Sequence, residues 1–396
     1  MKVVRKPGER RELVYRYPNL GFGTVDLWLA KPPAENAVQT AVRVTYQSQE
    51  PIAEDNLGGN LVAHYRVRPF HTLELHWGFT TMEPTLEDGA ATDAQTLTPN
   101  MREHYLRASV QIGREDELVR EAMFLAGDQT DPVDIARAFF NRLARYRYTY
   151  PLRRRGALTM QRTERGDCGQ FAALFVAWCR AVGIPAREVI GALVPVDAMN
   201  PHAWAEFWLD GTGWVPVDPS MASIIMSRSG DVKEASVTFG HLRPIRFAFS
   251  TDVDLPLPMY GGPVRPVPIM ARLGGRIAFG GRPLLWGYET VDDTIPYFQP
   301  AYPRGSRGIV LNTLFAASQT GYWAGSAQAL RRQAIGQAVM QARGLMVVVA
   351  ILLFVIAGLM QGLSGTVVNL VATVLTASLV IALIIYQRPW VRVQQR

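Results

Sequence analysis

The sequence predicts an α+β chain: a β-sandwich-like N-terminal unit, a mixed core, and two apolar helices at the C-terminal end. Three observations carry this. Short alternating segments crowd the first 115 residues, a helix-length apolar run begins at residue 168 and gives way to strand patterns, and 43 consecutive residues from 344 to 386 carry no formal charge. The expected divisions are a β-rich domain over 1–115, a core with its following strands over 116–300, a juxtamembrane linker over 301–343, two membrane-spanning helices within 344–386 and a basic tail over 387–396.

In the first part, residues 13–17, 24–30, 38–46, 61–67 and 72–79 are short, rich in β-branched and aromatic side chains, and roughly alternating. Turn chemistry separates them at Pro18-Asn19, at Lys31-Pro32-Pro33 and across residues 56–60. Two packed sheets are the natural way to bury such strands, hence the sandwich.

The pattern changes near residue 115. Thr130-Asp131-Pro132 supplies a helix cap with proline in the first turn. Ile135, Phe139, Leu143 and Tyr146 then recur at helical spacing. Residues 148–155 read as a loop. A second helix, over 168–183, is apolar nearly all round and so belongs inside a domain; Gly183 and Pro185 stop it. Strands are expected at 187–193, 203–209 and 214–217, the last two joined by the tight turn Asp210-Gly211-Thr212-Gly213.

The C-terminal stretch divides into apolar runs at 344–360 and 366–386, each near the ~20 residues that a membrane span requires. Twelve Leu, Ile or Val residues in the second run contribute about −5 kcal/mol to insertion. Arginines flank the pair on both outer sides and are absent from the loop between. The positive-inside rule then predicts a two-span protein, its ends and folded body in the cytoplasm and its lipid-bilayer contact through 344–386. The charged stretch 1–13 has no apolar region of the signal-peptide kind.

The net charge of +7 comes from the same region. Eight arginines and no acidic residue lie beyond Asp293, so the first 293 residues carry a net charge of −1. That argues against a nucleic-acid partner, which favours a basic patch on a folded body. Only two cysteines are present, Cys168 and Cys179, too few for a disulfide framework. No Cys-x-x-Cys or His-Glu-x-x-His occurs, so no metal site and no cofactor is expected.

Chemistry concentrates in three places. Cys168 opens the buried helix, where free N–H groups and the positive end of the helix dipole favour a thiolate and offer oxyanion donors. His202 begins a strand and is suited to take a thiol proton. Asp218 ends the returning strand; an even-sum hairpin register puts it on the same sheet face as His202, opposite or diagonal to it. A carboxylate there orients the imidazole and supports its charged form. Taken singly, each has a bland reading: a core cysteine, a strand-edge histidine, a turn aspartate before proline. Cys179, about 16 Å further along the helix, is expected to be a small core residue. Gln161 and Gln170 are candidate oxyanion donors.

The three segments together resemble the transglutaminase-like superfamily. Gly166-Asp167-Cys168 with residues 179–187 matches that family's nucleophile helix and the turn after it; residues 202–206 match its histidine strand and 213–219 its aspartate strand. The order Cys, His, Asp and the separations of 34 and 16 residues fit, over about 130–220. The resemblance implies a papain-like α+β core with Cys168, His202 and Asp218 as catalytic residues and Trp204 as a site wall. Together with the apolar C-terminal runs, it implies a membrane-anchored cysteine enzyme acting on amide bonds of a protein or peptide substrate through a thioester, by transamidation, deamidation or hydrolysis. A cysteine peptidase of the same fold and an inactive membrane-bound scaffold are the alternatives. Calcium is not implied, since no acidic loop of the EF-hand kind is present.

Overall fold

The computed structural model describes residues 1–19, 22–90, 95–109, 111–149, 156–195, 200–252, 301–304 and 321–325. The chain divides into two compact units, 1–330 and 331–396, and all described residues belong to the first.

Six N-terminal strands, β1 (Lys2–Pro18), β2 (Val25–Lys31), β3 (Gln39–Gln47), β4 (Ala53–Leu57), β5 (Asn60–Val67) and β6 (Thr72–Glu87), divide between two sheets. Two later strands, β13 (Ala301–Arg304) and β14 (Gly321–Gly325), join them, giving the orders β14-β1-β6-β3 and β13-β2-β5-β4. Strand alternation decides what faces inward. On β1, Leu13, Tyr15 and Tyr17 are fully buried and lie opposite Trp77, Leu75 and Leu73 of β6. On β2, Val25, Leu27 and Leu29 face Val67, Tyr65 and Ala63 of β5. These residues share one core with Ala192, Val194, Phe247 and Phe249 from the following region.

The β-sandwich expected for 1–115 is corrected by this arrangement. The strands do not close on themselves. Each sheet takes an edge strand from beyond residue 300, and their core is completed from the region after 116. The observed class is a mixed α+β architecture of several small sheets and helices, without a closed sandwich.

The middle region opens with α1 (Pro99–Leu106), α2 (Asp116–Ala126) and α3 (Pro132–Ala144). Asp131 caps α3 through the Val133 N–H at 2.8 Å, with Pro132 in its first turn. The two-residue strands β7 (Arg147–Tyr148) and β8 (Arg165–Gly166) pair in parallel around α4 (Ala157–Thr163). The central helix α5 (Cys168–Ala181) follows directly, with every residue from Gln170 to Arg180 buried. It is held by α2, α3, α4 and α6 (Pro219–Ser229) and by a four-stranded antiparallel sheet. That sheet has the order β11-β10-β9-β12, from β9 (Ala186–Leu193), β10 (Asn200–Leu209), β11 (Gly213–Val217) and β12 (Arg246–Ser250). A short α7 (Val232–Ala235) packs against α6. Ala203, Ala205 and Phe207 give β10 its apolar face, in the same core as α5.

The membrane reading is also corrected. Among the described residues no helix is long and apolar enough to cross a bilayer. The longest, α5, has 14 residues, a rise of about 21 Å against a hydrocarbon core of about 30 Å. The expected helices at 344–386 and the basic tail lie outside the described residues. The two-helix hairpin, the bilayer contact, the two-span localisation and the cytoplasmic placement derived from them have no support among the described residues. The stretch 301–343, expected as a juxtamembrane linker, includes β13 and β14.

Candidate active site

The hairpin of β10 and β11 places the first two functional side chains. Trp208 pairs with Trp214 and Ala205 with Val217, an even-sum register. Extending it past β11 makes Asp218 diagonal to His202 on the same face. The contact follows: His202 Nε2 lies 2.7 Å from Asp218 Oδ2, with both side chains buried. With Nε2 on the carboxylate, Nδ1 is the imidazole atom left to meet a thiol.

Asp218 is enclosed on all sides. Its Oδ2 also accepts from Arg246 Nη2 at 2.8 Å. Its Oδ1 accepts from the Ser220 hydroxyl at 2.8 Å and from the Met221 N–H at 3.0 Å, which makes Asp218 the N-cap of α6. Burial alone pushes its carboxyl upward, but the charges and hydrogen bonds of His202 and Arg246 override that and hold it well below the ordinary carboxylate range.

Cys168 begins α5, capped by Asp167, whose side chain accepts from the Gln170 N–H at 3.2 Å. The thiol is half-buried. Tyr148, carried by the short strand that pairs with Gly166, has its phenol near Cys168. Burial first, then the negative charges of Cys168, Asp167 and Asp218, push the Tyr148 phenol far up, so it remains an O–H donor. One phenol thus senses both the thiol and the carboxyl of the His–Asp pair. Cys179 is fully buried, and desolvation pushes its thiol up, as suits an inert core residue.

Trp204 lies beneath the pair. It is buried among Val38, Val189, Leu242 and Ala248, with its ring centroid 6.4 Å from that of His202 and 5.3 Å from the Arg246 guanidinium carbon. Gly191 stands opposite His202 in the sheet, and a Cβ there would collide with the Trp204 ring and the Phe247 carbonyl. Gln161 is committed elsewhere: it accepts from Trp178 Nε1 at 2.9 Å and donates to the Glu117 carbonyl at 3.1 Å. Gln170 is buried in the first turn of α5. Glu206 Oε2 accepts from Arg187 Nε at 2.8 Å and lies 2.7 Å from its Nη2. Among the described residues no cluster of three or more metal-binding side chains occurs.

The expectation of a formed triad in a membrane-anchored enzyme is corrected accordingly. The described contacts join His202 to Asp218, and do not by themselves assemble thiol, imidazole and carboxylate. Sequence reasoning missed Tyr148 and Arg246. The Tyr148 segment was read as a loop, and Arg246 lies 28 residues beyond Asp218 with no motif to flag it.

Residues 122–219 match the model of the transglutaminase-like superfamily core. A protein-glutamine gamma-glutamyltransferase of Pseudomonas aeruginosa is 38% identical over 68 residues, 15% of this chain and 10% of that protein. An uncharacterized protein of Haemophilus influenzae is 37% identical over 76 residues, 14% of this chain and 21% of that protein. The chain thus spans only a small part of these curated relatives. Among solved structures, a proposed cysteine protease from Cytophaga hutchinsonii shares 17% identity with a TM-score of 0.41, over 55% of this chain and 79% of that one. The periplasmic domain of TgpA from Pseudomonas aeruginosa shares 16% with a TM-score of 0.35, over 57% and 91%. Likeness at that level carries no argument. The chain has a distant, local similarity to the transglutaminase-like superfamily, confined to residues 122–219. No particular substrate, protein or peptide, follows from it.

Proposed function

We propose that this chain is a transglutaminase-like cysteine acyltransferase or hydrolase in which Cys168 is the nucleophile, His202 the base, Asp218 the orienting carboxylate and Trp204 a buried support of the site. One observation carries the reading: Asp218 holds His202 Nε2 at 2.7 Å in a buried pair, and Cys168 packs against the same core as the hairpin that carries them. Nucleophile, base and orienter then share one neighbourhood.

The chemistry follows from the protonation states. Asp218 holds the proton of His202 on Nε2, so Nδ1 takes the proton of the Cys168 thiol. The thiolate attacks an acyl carbon, and the first-turn N–H groups of α5 face the oxyanion. The imidazolium returns its proton to the leaving group, and the acyl group rests on sulfur. An amine completes transfer; water completes hydrolysis.

The test uses the full chain, a glutamine-bearing peptide as a trial acyl donor and a primary amine, read by mass spectrometry. Gain of the amine marks transfer, conversion of amide to acid or cleavage marks hydrolysis, and Cys168→Ala must abolish either. If no product forms and Cys168 is alkylated by iodoacetamide no faster than Cys179 near neutral pH, the reading is wrong.

A further inference from the structure

Asp218 presents a single oxygen to two partners. His202 Nε2 reaches Oδ2 at 2.7 Å and Arg246 Nη2 reaches it at 2.8 Å. The guanidinium comes from β12, an edge strand paired with β9, so it approaches from across the sheet from β11. It is 4% exposed, and its Nε and Nη1 have no acceptor among the described residues. Burying a guanidinium with two nitrogens unused is costly. The contact that offsets this cost is the one made to the oxygen that holds the imidazole.

We propose that Arg246 is a positioning residue for the thiol chemistry, acting through Asp218: it fixes the carboxylate against His202 and takes up part of the negative charge that the imidazole would otherwise receive. This rests on the catalytic reading above. The charged and titratable groups around the carboxylate are His202 on β10, Arg246 on β12 and Tyr148 on β7, with Asp167 and Cys168 at the start of α5 around that same phenol. Arg246 is the one permanent cation in this set. Its removal leaves Asp218 facing the imidazole alone. With the whole carboxylate charge on it, the imidazole is freed to take the thiol proton only at higher pH.

The experiment measures iodoacetamide alkylation of Cys168 against pH in the full chain, with peptide mapping and Cys179 as internal reference. Arg246→Gln should move the lower limb of the profile up by roughly one pH unit, and Arg246→Lys should return it most of the way. A lower plateau with an unmoved limb would assign Arg246 to scaffolding alone and overturn the proposal. The double variant Asp218→Asn/Arg246→Gln, which leaves no unpaired buried charge, supplies the same test if the single variant does not fold. Its limb must coincide with that of Asp218→Asn, and a difference shows that Arg246 does not act through Asp218. His202→Ala separates the two readings. A wild-type limb that survives this change sinks the catalytic reading itself, whereas its loss upholds that reading and leaves the Arg246 variants to decide the further one.

Discussion

Asp218 in the core sheet and Asp26 in the N-terminal sheet hold the same partners in almost the same way. Asp26 Oδ1 meets His64 Nε2 at 2.9 Å and Arg66 Nε at 3.0 Å, and Trp28 stacks on His64 at 4.5 Å. Asp218 meets His202 and Arg246, with Trp204 near the imidazole. A third carboxylate, Asp252, holds His104 and Arg107, each at 2.8 Å. A histidine and an arginine on one oxygen is therefore this fold's recurring way to satisfy an aspartate, and it does not mark a reaction centre. Two differences do. Asp218 is 0% exposed, whereas the Asp26 and Arg66 side chains are 27% and 57% exposed, so water screens the second group. Both cysteines lie on α5, whose first residue is one of them, and neither belongs to the sheet that carries Asp26.

The comparison can be broken most directly at the thiol. Cys168→Ala should lower acyl transfer by roughly 10⁴-fold or more, read as product mass, while Cys179→Ala leaves the rate intact. Next comes Asp218→Asn. It should cost on the order of 10³-fold in rate and about 3 kcal/mol in urea unfolding, because Arg246 loses its buried anion. Asparagine still caps α6, which isolates the charge from the cap. The same carboxyl sets a pH dependence. Its folded-state pKa is depressed, so its stabilisation is present above the ordinary carboxylate range and is lost as pH falls below about 4. Thermal melts from neutral pH downward should show this slope in the wild type and a shallower one in Asp218→Asn. Gly191→Ala should cost about 1–3 kcal/mol through collision with the Trp204 ring. Smallest of all, Asp26→Asn should change stability by about 0–1 kcal/mol and leave the rate unaltered. A large loss there would erase the distinction between the two clusters.

Local chemistry made much of the middle region legible. The cap and proline at Asp131-Pro132 announced α3, the apolar run announced α5, and the Asp210–Gly213 turn fixed the register that brings Asp218 to His202. The same signature, Asp218-Pro219, caps α6, where one aspartate both begins a helix and holds His202. What stayed hidden depends on long-range return. Tyr148 belongs to a two-residue strand whose partner lies across α4, and no pattern survives in two residues. Arg246 reads as one basic residue in an apolar strand until the sheet folds. The alternation of the N-terminal strands was visible, but not that both sheets draw an edge from beyond residue 300.

That late return has a practical side. In the sheet orders, β13 lies beside β2 and β14 beside β1. A protease cut between residues 253 and 300 would leave two fragments still zipped together by backbone pairing, separable only in denaturant. Ending the polypeptide at residue 252 would do the opposite: it would bare two ladders of N–H and C=O groups, each a template for another chain. Shortened versions should therefore retain the residues through 325 if aggregation is to be avoided.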